Sequence, residues 1–351
     1  AVPVALPGNL GGTVTATVTG SVPVAQWRQG KAVARVESLD AVYNAVPVSV
    51  AQAPLVVAYD NGVVTFEPST ILAGPTRIAI SGSLPVEQPL GREELFVDLH
   101  ADLRTLSALV PLQPGVAACG TLDVNTIIRG SVLAPAPVAI VNVENGCLEL
   151  PGGIPPVTNA TLTATLDNGV VRIDALTADW AGGRVQAVGA VPLGIVPVSL
   201  PIPIPTQTGP AELALDVTNL NVRNLPGVPP SISGVVSAHV EARAARPELD
   251  AVTATASFSE LQLSFSGAPF KQTQPSILRL ANGVMRVEQF RLAGPETTPE
   301  MSGTASATAP YPLDLRLTGN ADAALIALAT EAVRARGPIN LNVAVTGTAR
   351  A

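Results

Sequence analysis

Few residues in this chain could do acid–base, nucleophilic or metal chemistry. Its 351 residues include two histidines and two cysteines. His100 sits in FVDLHADL and His239 in VSAHVEA. An imidazole base needs a nucleophile and an orienting carboxylate within hydrogen-bond reach. No serine or cysteine nucleophile signature stands beside either histidine, so both read as structural strand residues. Cys119 and Cys147 make neither a C-x-x-C motif nor a metal set. They are either one disulfide of an oxidising compartment or two buried thiols. Glu93-Glu94 and the scattered aspartates read as turn charges rather than an acid/base pair. Neither G-x-x-x-x-G-K-[ST] nor a G-x-G-x-x-G after a strand occurs. Asn159-Ala160-Thr161 fits a glycosylation acceptor, which has meaning only in a eukaryotic secretory pathway. The expectation is a protein that is no enzyme and holds no cofactor or metal.

Composition turns attention from single residues to surfaces. Hydrophobic residues are 47% and charged residues 13%, roughly half the charged share of a usual soluble domain. No apolar run approaches the ~18 residues of a membrane helix, because 30 glycines and 33 prolines interrupt them. With a net charge of −7 and no basic cluster interleaved with aromatics, nucleic acid is not an expected partner. Either much apolar surface is hidden in an unusual way, or something apolar is meant to touch it.

The elements that carry this surface repeat. Asp60-Asn61-Gly62, Asp167-Asn168-Gly169 and Ala281-Asn282-Gly283 are each followed at one fixed distance by a second glycine: Gly82, Gly189 and Gly303. Alternating segments follow Gly12, Gly120, Gly234 and Gly337. Both markers give a period of about 110 residues. The expected array is residues 11–118, 119–232 and 233–336, with 337–351 as the first strand of a truncated fourth repeat. Asn-Gly favours the positive φ of a two-residue hairpin turn, so each such unit reads as a hairpin. Residues 138–143 and 147–150 read as two strands around Asn145-Gly146. Helical spacing is expected over 103–112 and 322–336 and barely one turn over 220–225, which makes helices accessories to an all-β fold.

The glycines fix a register that sorts side chains onto two faces. One face takes Val14, Ala16 and Val18; Leu122, Val124 and Ile128; Val236 and Val240; and Leu341 and Val343. After the Asn-Gly turns it takes Val64 and Phe66, Val171 and Ile173, Met285 and Val287. Before the closing glycines it takes Ile78, Ile80 and Val185. The other face carries Thr65, Arg172 and Arg286. An apolar face is either a core packed against another layer or the lining of an open trough. Aromatic residues are only 3%, which favours the trough, since small aliphatics leave space that rings would fill.

Residues 120–193 resemble the repeats of TamB and the wider AsmA-like family of diderm bacteria. The matching positions are Gly120, Leu122, Gly130, Pro135, Asn145, Gly146, Leu148, Leu150, Asn168, Gly169, Val171, Ile173, Gly182, Gly183, Val185 and Gly189. Residues 12–23, 60–85 and 281–303 match more loosely, and Ala244 departs where other repeats have glycine. The resemblance implies a U-shaped, taco-like β-sheet whose hydrophobic groove conducts phospholipid through the periplasm. It also implies an outer-membrane barrel partner of the TamA or BamA type and a part in outer-membrane protein assembly. The family's N-terminal inner-membrane anchor and partner-binding C-terminal end are not recognisable in this chain, which reads as a mid-bridge segment. The alternative from the residues is a structural or adhesive surface protein of tandem immunoglobulin-like sandwiches.

Overall fold

The computed structural model describes residues 10–21, 23–87, 91–109, 115–195, 209–246, 248–294, 296–308, 311–323 and 337–348. Their regular structure is 22 strands in one antiparallel sheet, with one α-helix and short 3-10 turns. The fold is nearly all-β, as the alternation indicates. An immunoglobulin-like sandwich needs two packed sheets, and the described strands belong to one. The chain divides into two compact units, the first mainly residues up to Pro151 and the second mainly residues from Ala175 onward.

The first unit is a succession of hairpins. Its strands are β1 (Leu10–Ser21), β2 (Lys31–Tyr43), β3 (Val46–Val50), β4 (Leu55–Asp60), β5 (Val63–Ala73) and β6 (Thr76–Pro85). β7 (Leu95–Asp102), β8 (Ala117–Gly130), β9 (Pro135–Glu149) and β10 (Val157–Asp167) follow. β2 spans two shorter partners, pairing with β4 along its first half and β3 along its second. Asn61 and Gly62 hold φ of +51° and +85°, so the Asn-Gly hairpin forms as expected.

Asn145-Gly146 does not make a turn. β9 runs unbroken through it, and the register passes from Cys119↔Cys147 to Thr121↔Glu144. The extra residues form a bulge, with Asn145 at φ +50° and Gly120 at φ +112°. A bulge takes positive-φ residues as readily as a turn does, so local chemistry alone did not separate the two. Beside it, Cys119 and Cys147 form a disulfide, which resolves the two readings of this pair.

α1 (Leu103–Leu109) follows β7. The Thr105 amide and hydroxyl both donate to Asp102 Oδ1, at 2.8 and 3.0 Å, and so cap its first turn. Residues 110–112 of the expected helix lie outside the described residues, as does the helical segment beyond Ala323. Asp322, the first residue of that expected segment, ends a strand. The weak helical signal at 220–225 is the 3-10 turn Val222–Asn224, where Asn221 accepts from the Arg223 amide.

β11 (Val170–Trp180) contributes to both units, and the second continues with β12 (Gly183–Pro192), β13 (Ala211–Asn221), β14 (Ile232–Ala244) and β15 (Val252–Phe265). β16 (Ala268–Gln272), β17 (Ser276–Ala281), β18 (Val284–Gln289), β19 (Leu292–Ala293), β20 (Thr298–Ser306), β21 (Pro312–Asp322) and β22 (Pro338–Thr348) complete it. β15 is divided between β16 and β17 as β2 is between β3 and β4. The buried cluster of this unit is Leu261, Phe270 and Leu292, with Val236, Leu263, Phe265, Ala268 and Phe290 packed around it.

Candidate functional site: an apolar face in register

Directly opposed residues in an antiparallel ladder share a face, so the registers can be followed from strand to strand. In the first unit one row runs Val18, Ala34, Val57, Phe66, Gly82, Leu95, Ile128, Pro137. No polar side chain interrupts it. A second row runs Ile71, Ile78, Leu99, Val124, Val141. Ile80 faces Val97, Leu122 lies between Ala101 and Val143, Val64 between Tyr59 and Leu84, and Val14 faces Leu39. By register, Val14, Val18, Val64, Phe66, Ile78, Ile80, Leu122, Val124 and Ile128 share one side of the sheet.

The second unit repeats the pattern. One row runs Ala187, Leu215, Val240, Ala256, Leu278, Val287, Gly303, Leu315, Val345. Val185 faces Val217, Met285 lies between Leu280 and Ala305, Val343 faces Leu317 and Leu341 faces Gly319. Val171 and Ile173 stand two apart on β11 and are half-buried.

The face is exposed at the terminal strands β1 and β22 and half-buried along most of its interior, with Leu95, Pro137 and Ala187 buried. Val14 is 60% exposed, Val18 71% and Val343 45%; Phe66, Ile78, Val124 and Leu315 are half-buried. Val287 is buried, and Val236 joins the Leu261–Phe270–Leu292 cluster. The largest side chains with essentially no exposure are those of Thr76 and Thr297. The accessible surface is 20696 Å², against the roughly 13,000 Å² expected of a compact chain of this mass.

Glycines within these rows have a steric reason. A Cβ on Gly82 would lie 2.2 Å from the Glu94 carbonyl oxygen, and one on Gly303 2.1 Å from that of Asp314. Both sit at positive φ, where the neighbouring backbone approaches closely and only glycine fits.

The opposite face carries both histidines and most of the charge, along with the exposed Phe96, Ile140, Val188 and Val235. Its rows include Arg77, His100, Asp123, Asn142 and Gln186, Asp216, His239, Ser257. His100 Nδ1 is 2.6 Å from Asp123 Oδ1, and His239 Nδ1 is 2.7 Å from Asp216 Oδ1. A carboxylate only accepts, so each Nδ1 carries the proton. The Asp216 hydrogen bond raises the His239 pKa above its usual 6.5, aided by Glu241.

Ser257, which no motif marks out, completes an Asp–His–Ser order across three strands. However, His239 Nε2 lies toward Glu241, 3.7 Å from its Oε1, and no hydrogen bond joins Ser257 to His239. The base-to-nucleophile contact of a triad is not made. Among the described residues no group of three or more His, Cys, Asp or Glu is placed to hold a metal. What the arrangement can do is present a long strip of hydrocarbon to an apolar ligand.

Compared with family models, with curated proteins and with solved structures, the chain matches none.

Proposed function

We propose that this chain is a segment of a periplasmic bridge that conducts phospholipid between the inner and outer membranes of a diderm bacterium. The observation that carries the reading is the apolar row in each unit, continuous across the strands and for the most part half-buried rather than closed off. On this reading the sheet is curled into a trough built from repeats of about 110 residues, and acyl chains lie along it. Moving two acyl chains through water exposes about 30 CH₂ groups, roughly 24 kcal/mol at ~0.8 each. A continuous apolar strip lowers that barrier along its whole length with no specific side chain. One unpaired charge in the strip would restore several kcal/mol. The Cys119–Cys147 disulfide suits an oxidising periplasm. A TamA- or BamA-type barrel partner, an inner-membrane anchor and a part in outer-membrane protein assembly would belong to regions outside this face. The reading needs neither a cofactor nor nucleic acid.

The test is native mass spectrometry of the purified chain after incubation with a lipid extract. Bound phospholipid is expected, and its absence would count against the reading. Phe66→Asp should abolish binding, whereas Thr65→Asp, one residue along on the opposite face, should leave it unchanged.

A further inference from the structure

A cleft of about 690 Å³ lies in the second unit, near the end of the ladder where β13 and β15 begin and β14 and β17 end. That volume is within the roughly 300–1,000 Å³ of small-molecule sites. Three adjoining rows line it. The middle row is apolar and runs Gly189, Leu213, Ala242, Ala254, Leu280, one step along the apolar face from Val240 and Leu278. The flanking rows bring charge. Glu212 opposes Arg243 and Arg243 opposes Thr253, while Glu241 opposes Thr255 and Thr255 opposes Arg279. Arg243 Nε is 3.0 Å from Glu212 Oε1, and Arg279 Nη1 is 3.2 Å from Glu288 Oε1. Both guanidinium groups are exposed. Exposed ion pairs hold weakly, so each arginine can take a phosphate oxygen in place of a carboxylate.

We infer that this cleft is a headgroup subsite for a phosphate ester that also carries an ammonium, the phosphoethanolamine end of a phospholipid. The inference rests on the conduction reading and adds what an apolar row cannot supply, a preference for one headgroup. Arg243 and Arg279 take the phosphate, with the Thr253 and Thr255 hydroxyls as further donors. Glu212 and Glu241 face the ammonium. Two arginines and two glutamates balance, so a simple anion would leave both carboxylates against it, whereas a zwitterion meets all four charges. Glu241 and Arg243 stand two residues apart on one face of β14, about 7 Å along the strand, a span that one small molecule covers. Its acyl chains run from Leu213 and Leu280 along the apolar face.

The test uses the full chain and short-chain probes below their micelle concentrations, read by titration calorimetry. Dihexanoyl phosphatidylethanolamine should bind at least tenfold more tightly than dihexanoylglycerol, which lacks the headgroup. It should also bind more tightly than dihexanoyl phosphatidylglycerol, which lacks the ammonium. Glycerophosphoethanolamine, the same headgroup without chains, should bind at least tenfold more weakly, and equal affinity would overturn the assignment to a lipid. Arg243→Ala/Arg279→Ala should erase the preference over dihexanoylglycerol, and Glu212→Gln/Glu241→Gln the preference over phosphatidylglycerol. All four side chains are exposed, and circular dichroism checks that each variant folds. Three lipids bound alike, or preferences untouched by the substitutions, would overturn the inference and leave the conduction reading standing. A chain that binds none of the three lipids would overturn the conduction reading, and the subsite with it.

Discussion

Two apolar regions of this protein use different side chains and reach different ends. Around Phe270, rings from Phe265, Phe270 and Phe290 gather with Leu261 and Leu292, and Phe270, Leu261 and Leu292 are buried. Along the row from Val18 to Pro137 only Phe66 is aromatic, and burial runs from Val18 at 71% exposed to the buried Leu95 and Pro137. Both regions are hydrophobic, but the first gathers three rings, whereas the row has one ring and ends in an exposed strand. Size of side chain, more than hydrophobicity, separates the two here.

The sharpest test of that contrast is truncation in each region. Phe270→Ala should cost about 3–5 kcal/mol by denaturant unfolding, the usual loss for a buried ring, whereas Val18→Ala should change stability by less than about 0.5 kcal/mol. Equal losses would break the comparison. A smaller effect is expected at the glycines. Gly303→Ala meets both a positive φ and the Asp314 carbonyl, while Gly267, at φ +89°, has nothing within 4 Å of a Cβ. Strain of this kind costs about 1–3 kcal/mol, so Gly303→Ala should be the more destabilising of the two.

The smallest effect concerns His239. Its pKa is raised chiefly by the Asp216 hydrogen bond. The protonated pair therefore adds stability that is fully present below the unfolded value near 6.5 and lost as pH rises through the folded value. Solvent exposure keeps this to less than about 1 kcal/mol. Asp216→Asn should flatten the dependence in unfolding measurements across that range.

Much of this was legible in the sequence because period-2 alternation and Asn-Gly pairs act locally. Asn61-Gly62, Asn168-Gly169 and Asn282-Gly283 all adopt the paired positive φ of the expected hairpins. The apolar register could be followed because glycines fixed the count. What could not be read depended on partners distant in sequence. Asn145-Gly146 has the same local chemistry as the turns, and only the pairing of β9 with β8 makes it a bulge. Val236 and Val287 alternate like their neighbours, yet burial at those positions is set by other strands. The opposition of Asp216, His239 and Ser257 likewise arises from ladders, which no spacing along the chain reveals.

The hairpin succession has a kinetic consequence. Among the described ladders, no pairing joins residues further apart along the chain than Pro312 and Thr348. Contacts this local keep loop-closure entropy small and favour rapid zipping. Each new strand finds its template in one just laid down, so the sheet can assemble progressively while the rest of the polypeptide is still arriving. For a chain with so much exposed hydrocarbon, such vectorial growth shortens the time in which unpaired strands could meet the wrong neighbour.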